Sequence, residues 1–427
     1  MIATIEPGRV SGTIVAPPSK SLTQRALAAA LLHRGTTHIY NAGYAADEQA
    51  ALHIIQQLGA VCTETKVDDQ LRHITVVSSG VHPIADSIYC GESGLAARLF
   101  TPLAALSSKP VKVSGAGSLL SRPIGGLADI LPALGVTLTG FNGFLPYTVC
   151  GPLQAATAVM HASGSSQLLS GVLFALAASA HTSVTLDVTG LESKPYIDLT
   201  QHILAHFGMP VTHTDYKQFT IDPSVFKHTD PVEIAIEGDW SSASCLLVAG
   251  AIAGEMTVSN LNTASLQADR AILDVLQMAG ANIGVAGNTV TVGRSSLKAF
   301  EFDASDRPDL FPALAVLAAF CRGESRIAGV HRLFHKESNR VESITELLWS
   351  FGIPFSVEED ALCVVGGERL NGTVIDAYND HRIVMAAAIC ALRARSRTDI
   401  PGAEAVNKSF PGFFDGIISC GVRCALS

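Results

Sequence analysis

The sequence is short of charge, and has no surplus of positive charge. Charged residues make up 16% of its 427 positions and the formal net charge is −9, against a usual charged share of about 25%. The basic stripe that tracks a nucleic-acid backbone is absent, so no nucleic-acid partner is expected. Any anion site must gather its cations locally, against the overall field. No CxxC pair occurs among the nine cysteines, at 62, 90, 150, 245, 321, 363, 390, 420 and 424. Their odd count and irregular spacing exclude a disulfide framework or zinc site and fit reduced thiols, most of them buried as small hydrophobes. The opening residues, Met1-Ile2-Ala3-Thr4-Ile5-Glu6-Pro7, lack the basic and apolar regions of a secretory leader. The longest mostly apolar stretch, Leu168 to Ala180, falls short of the roughly 20 residues of a membrane span and reads as a buried helix. A cytoplasmic globular protein of two or three domains, without a membrane partner, is expected.

What the chain does have is a repeat. An amphipathic stretch closing on apolar-Gly-apolar recurs at Gly59, Gly135, Gly208, Gly280, Gly352 and Gly421, with spacings of 76, 73, 72, 72 and 69 residues. Each unit opens with a polar cluster ahead of an Ala/Leu-rich helix. The clusters are Ser19-Lys20-Ser21, Glu92-Ser93-Gly94, Ser165-Ser166-Gln167, Trp240-Ser241-Ser242, Arg307-Pro308-Asp309 and Asp380-His381-Arg382. A β-rich run, a second helix ended by the glycine, and two further strands follow, which makes the unit βαβαββ. The first helices, for example Leu173 to Ala180 and Leu314 to Phe320, are apolar nearly all round. Helices without a polar face are buried on all sides, which points to helices clustered inside and sheets around them.

A helix start presents unpaired N–H groups and the positive end of the dipole, and so attracts anions. Ser, Asp and Gly there have a simpler explanation as N-caps. Six equivalent starts, several with Lys or Arg, shift the balance toward an anion site. Lys20 and Arg25 flank the first helix, Arg122 precedes Pro123 and a further helix, Lys336 and Arg340 open another, Arg382 follows His381, and Lys408 lies in Asn407-Lys408-Ser409. Such a set suits substrates with phosphate and carboxylate groups. Asp309 and Glu337 lie among these cations. Either alone reads as a cap or an ion-pair partner; together, in a site with Lys20, Lys336 and His381, they are candidates for acid and base. No Ser/His/Asp order, Walker A loop or HExxH occurs.

The motifs Ser19-Lys20-Ser21 with Arg25, Arg122-Pro123-Ile124-Gly125, Ser165-Ser166-Gln167 and Ser193-Lys194-Pro195-Tyr196-Ile197-Asp198 stand in one order with several more. These are Glu237-Gly238-Asp239, Pro308-Asp309, Lys336-Glu337-Ser338 with Arg340, Asp380-His381-Arg382, and Lys408. Across nearly its whole length the chain resembles the enolpyruvyl transferase family, in the branch of the 5-enolpyruvylshikimate-3-phosphate synthases. The resemblance implies an α/β fold: a two-domain inside-out α/β barrel of six βαβαββ repeats, with domains of residues 18–237 and of 1–17 plus 238–427. It implies transfer of the carboxyvinyl group of phosphoenolpyruvate to the 5-hydroxyl of shikimate 3-phosphate, by addition then elimination, in chorismate and aromatic amino acid biosynthesis. By resemblance, shikimate 3-phosphate meets Lys20, Ser21, Arg25, Ser165, Ser166, Gln167, Ser193, Asp309 and Lys336. Phosphoenolpyruvate meets Lys20, Gly94, Arg122, Gln167, Arg340, Arg382 and Lys408. Asp309 looks like the base, Glu337 like the proton donor with Lys20 a further candidate, and His381 joins the catalytic set. A monomer with these two small-molecule partners is expected, with no metal or organic cofactor.

Some positions depart from the family pattern. Gly91-Glu92-Ser93-Gly94-Leu95 stands where the family commonly has Asn-Ala-Gly-Thr after the first glycine. Glu92 is expected to put negative charge near the phosphoenolpyruvate pocket, and Leu95 removes a hydroxyl. Pro18 replaces a common glycine and Asn339 a common aspartate. Two rivals remain open. One is transfer of the same group to UDP-N-acetylglucosamine, disfavoured because the loop 115–122 holds no cysteine. The other is a non-catalytic repeat scaffold or ligand sensor in which the polar residues are only caps.

Overall fold

The six glycines that mark the repeat all take a positive φ, from 75° at Gly208 to 108° at Gly59, in the computed structural model of the chain. Glycine enters that region without strain, and here it turns the chain out of a helix toward the next strand. The structure describes residues 1–163, 166–367 and 370–427. The first helices of the repeats are Lys20–Leu32, Gly94–Ala104, Ser166–Ser179, Trp240–Ala253, Phe311–Ala319 and His381–Ala391. The second helices are Ala46–Gln57, Leu127–Ala133, Pro195–His206, Ile272–Met278, Arg340–Phe351 and Phe413–Ser419.

The chain divides into two units, Pro18–Ile236 and Met1–Pro17 with Glu237–Ser427. Glu237 thus falls on the other side of the boundary from its expected place. The reason is local: its carboxylate accepts from Asn262, Ser265 and Gln267, all in the second unit.

In the unit Pro18–Ile236 three four-stranded sheets share one topology. The second repeat runs Ser87–Tyr89, Val111–Ser114, Tyr147–Cys150, Thr137–Thr139 in space, its first pair parallel and the others antiparallel. A helix crosses between the parallel strands and another precedes the hairpin, which is βαβαββ. Ala158–His161, Val184–Thr189, Gln218–Ile221 and Val211–Thr214 repeat the arrangement. The first repeat borrows its opening strand: Val232–Ala235, at the end of the unit, returns to pair parallel with Gly35–Ala42.

In the other unit the first residues of the chain fill two vacant places. Val10–Val15 pairs parallel with Gly254–Ser259 as the opening strand of the fourth repeat. Ile2–Ile5 lies antiparallel between Thr398–Pro401 and Cys424–Leu426, as the last strand of the sixth. The fifth repeat, Glu301–Asp303 to Ala361–Val365, supplies all of its own strands.

Helices Trp240–Ala253, Phe311–Ala319 and His381–Ala391 are buried at every position and pack on one another. Lys20–Leu32, Gly94–Ala104 and Ser166–Ser179 pack together likewise in their own unit. With no polar face to show to water, these helices take the inside and the sheets the outside. Each unit has its own apolar core. Among the described residues no helix is long and apolar enough to cross a membrane.

Two of the expected cations lie at the ends of 3-10 turns. Arg122 closes the 3-10 turn Gly117–Ser121, well ahead of the helix Leu127–Ala133, and Lys408 ends the 3-10 turn Ala403–Lys408. Such short turns carry no apolar periodicity from which to locate them.

Candidate functional site

In the unit Pro18–Ile236 the expected residues gather at the starts of its inner helices. Ser19 caps Lys20–Leu32 by accepting from Leu22 N, and Lys20 Nζ pairs with Asp47 Oδ2 at 2.9 Å. Arg25, only 1% exposed, donates through Nε to Thr200 Oγ1 at 2.9 Å and through Nη1 to Ser21 Oγ at 2.6 Å. Nη2 reaches Ser170 Oγ and the Tyr196 carbonyl at 3.5 and 3.4 Å. Its hydrogen-bond partners among the described residues are all neutral. Burial therefore drags its pKa down to about 10, only partly offset by Tyr196. A buried cation without a carboxylate is costly by itself and suits an anionic ligand. Ser166 and Ser193 are buried in the same unit; Ser193 holds a positive φ of 56° just before the helix Pro195–His206. Ser165 lies outside the described residues.

Gly94, Arg122 and Gln167 are brought together by a residue that the sequence reading missed. Arg98, one turn into the helix Gly94–Ala104, donates through Nη1 to Gly94 O at 3.0 Å and Gln167 Oε1 at 3.3 Å. Through Nη2 it donates to Pro123 O at 2.7 Å, beside Arg122. A methyl group on Gly94 would come 2.8 Å from Arg98 Nη1 and 2.9 Å from Arg122 Nη2. Two guanidinium groups thus converge on a helix start that only glycine leaves open. Arg98 shares the Gly94 face of its helix, at i and i+4, and that spacing was the available signal.

The unit containing Glu237–Ser427 holds the candidate acid and base. Arg340, fully buried, binds three carboxylates with one guanidinium: Nη1 to Asp309 Oδ1 at 2.7 Å, Nη2 to Glu337 Oε2 at 2.7 Å, and Nε to Asp380 Oδ2 at 2.8 Å. Arg382 Nη2 lies 3.2 Å from Asp309 Oδ2, and Lys336 Nζ 3.9 Å from Oδ1. Burial pushes the Asp309 carboxyl up, but Arg382, Lys336 and Arg340 outweigh it and hold it well below the usual range. Burial also pulls the Lys336 ammonium down, to about 8, against the pull of Asp309. Asp380 caps His381–Ala391 by accepting from Arg382 N at 2.9 Å, and the buried His381 ring has Nδ1 3.8 Å from the same carboxylate. Lys408 Nζ donates to Asn379 O at 2.6 Å. Asp269, absent from the sequence reading, is buried and accepts from Ser241 Oγ. Burial and neighbouring Asp309 raise it to about 6, with Arg382 opposing.

Glu92 lies against the turn that carries Arg122. Its carboxylate accepts from Ser118 N at 3.3 Å, in the turn that leads to Arg122. The motif residues Glu237 and Asp239 are structural: Glu237 collects three side-chain donors, and Asp239 caps Trp240–Ala253 through Ser242 N.

Residues 5–417 match the family model described as EPSP synthase (3-phosphoshikimate 1-carboxyvinyltransferase), and the chain belongs to that family. A protein named 3-phosphoshikimate 1-carboxyvinyltransferase from Methanocorpusculum labreanum is 36% identical, with 95% of each chain covered. Another of that name from Thermococcus kodakarensis is 38% identical over 96% of this chain and 97% of its own. A solved structure of EPSP synthase from Acinetobacter baumannii superposes with a TM-score of 0.81 at 24% identity, covering 100% of both chains, and so shares the fold.

Proposed function

We propose that the chain transfers the carboxyvinyl group of phosphoenolpyruvate to the 5-hydroxyl of shikimate 3-phosphate and releases phosphate. The observation that carries this reading, beside family membership, is the cluster of Asp309 and Glu337 on one buried guanidinium with Lys336 and Arg382 alongside. It offers proton transfer and anion binding in one place. Asp309 accepts the proton of the 5-hydroxyl, whose oxygen bonds to the central carbon of phosphoenolpyruvate. Glu337, with Lys20 as the alternative donor, protonates the methylene. In the second step the methyl group returns that proton and the carbon–phosphate oxygen bond breaks. The proton on Asp309 leaves with phosphate, so both carboxyls regain their starting states.

The depressed pKa of Asp309 fits this order of events. A carboxylate surrounded by cations is ionised but a weak base. When Lys336 and Arg382 turn to substrate anions, Asp309 loses counter-charge and becomes a stronger base at the moment it is needed. Lys20, Ser21, Arg25, Ser165, Ser166, Gln167, Ser193 and Lys336 hold shikimate 3-phosphate in this reading, with Arg25 supplying the buried cation. Gly94, Arg122, Gln167, Arg340, Arg382 and Lys408, with Lys20, hold phosphoenolpyruvate. His381 supports the cluster through Asp380. The chain acts as a monomer in the cytoplasm, and its net charge of −9 speaks against a nucleic-acid partner.

The test is phosphate release from phosphoenolpyruvate with shikimate 3-phosphate or UDP-N-acetylglucosamine as acceptor. Release with shikimate 3-phosphate alone is expected. Release with the sugar nucleotide alone replaces the acceptor. No release with either leaves a scaffold or sensor.

A further inference from the structure

Arg122 is carried on a short segment: the 3-10 turn Gly117–Ser121, then Arg122, then Pro123. A segment so short has little rigidity of its own. Both of its ends are tied to the start of the helix Gly94–Ala104. At the leading end, Ala116 N donates to Gly91 O at 2.7 Å, and Ser118 N to the Glu92 carboxylate at 3.3 Å. The fit there is close. A methyl group on Gly117, whose φ is 53°, would lie 2.4 Å from that carboxylate. At the trailing end, buried Arg98 holds the Pro123 carbonyl at 2.7 Å while it also holds Gly94 O and Gln167 Oε1. One acid and one base, six residues apart, thus grip the turn before and after Arg122.

We infer that Glu92 and Arg98 are positioning residues that bracket Arg122 and fix the direction in which its guanidinium meets phosphoenolpyruvate. The inference rests on the assignment of Arg122 to that substrate. It also gives Glu92 a place. A carboxylate beside a site for an anion repels it when it faces the ligand. Here the carboxylate accepts from a backbone N–H of the loop and so helps to hold it. Arg98 differs from Glu92 in one useful respect. It also touches Gln167, which serves both substrates in the proposed reading, whereas Glu92 accepts from Ser118 N in the Arg122 loop. The two residues therefore predict different kinetic signatures.

The experiment uses the full chain and measures steady-state phosphate release, with phosphoenolpyruvate and shikimate 3-phosphate varied in turn. Calorimetric Kd for phosphoenolpyruvate in the presence of shikimate 3-phosphate, and unfolding midpoints, are measured on the same proteins. Glu92→Ala is expected to raise KM and Kd for phosphoenolpyruvate about tenfold, the worth of one well-placed hydrogen bond, with KM for shikimate 3-phosphate unchanged. Glu92→Gln keeps an oxygen for Ser118 N and recovers most of the loss. Arg98→Lys keeps the charge but cannot reach three carbonyl oxygens at once, and raises KM for both substrates. Three results overturn the inference: a lower KM for phosphoenolpyruvate in Glu92→Ala and Glu92→Gln alike, equal shifts for both substrates in Glu92→Ala, or a lowered unfolding midpoint with unchanged KM. The wild type separates this failure from that of the reaction itself. A wild type that binds phosphoenolpyruvate without turnover refutes the proposed reaction, and the Kd values of the variants still decide the bracket.

Discussion

Removing Arg340 should do more damage than removing any of the carboxylates it holds. Its guanidinium is fully buried and makes bonds of 2.7, 2.7 and 2.8 Å to Asp309, Glu337 and Asp380. In Arg340→Ala, Asp309 keeps Arg382 and Lys336 as neighbours. Asp380, with no exposed side-chain surface, loses its principal cation. Taking one partner from a buried charge pair costs about 3–5 kcal/mol. For a unit of this size each kcal/mol lowers Tm by about 2–4 °C, so a fall of roughly 10 °C is expected. The pH dependence supplies the sharper test. With the guanidinium gone, the stranded carboxylates have folded-state pKa values raised above their unfolded values. Their penalty is full at neutral pH and is relieved as pH falls through the raised values. The wild-type cluster behaves oppositely: Asp309 is depressed, so its stabilisation is present above its unfolded pKa and fades only below it. The gap between wild type and variant should therefore narrow between pH 7.5 and pH 5. Urea unfolding at the two pH values measures it. A variant within about 0.5 kcal/mol of wild type at pH 7.5, the range of an ordinary surface substitution, refutes the reasoning, and so does a gap that widens in acid.

Asp309→Asn and Glu337→Gln should each fold and lose turnover by about a hundredfold or more in single-turnover phosphate release; near wild-type rates would remove the acid and base assignment. Arg25→Met should raise KM for shikimate 3-phosphate while leaving the unfolding midpoint unchanged or higher, because it deletes a buried charge whose partners are neutral. A marked loss of stability would make Arg25 a structural residue instead. Asp269 is raised from 3.8 to about 6, so between those values the folded chain holds a proton that the unfolded chain has released. Stability from this group falls as pH rises through that window, and Asp269→Asn should flatten the corresponding part of the stability–pH curve. An unchanged slope would show that Asp269 does not titrate there.

The repeat was legible because its marker has one physical cause: a glycine after each second helix must accept a positive φ, as Gly59 and Gly208 do. The inside-out arrangement was legible because a helix such as Trp240–Ala253 has no polar side to turn outward. Asp309, Glu337 and Lys336 could be named from sequence because they flank helix starts. The 3-10 turns that carry Arg122 and Lys408 were not legible, since such a turn has no periodic signature. Arg98 stayed hidden because two of its acceptors are backbone carbonyls, and no side chain reports where a carbonyl points. For Glu92 the sign of the charge was visible but its direction was not. That depends on a turn whose first residue, Gly117, leaves room for the carboxylate. The grip of Arg340 on three acids was equally out of reach, because Asp309 and Asp380 come from different repeats.

The strand Ile2–Ile5 has a consequence for biosynthesis. It leaves the ribosome well ahead of both of its neighbours, Thr398–Pro401 and Cys424–Leu426. At about 5–20 residues per second it waits roughly 20–80 s for a partner. Meanwhile the unit Pro18–Ile236 contains every strand that its own sheets need, including the closing Val232–Ala235. Nascent chains should therefore show one protease-resistant body long before the other, with Ile2–Ile5 open to cleavage until its partner strands have been made.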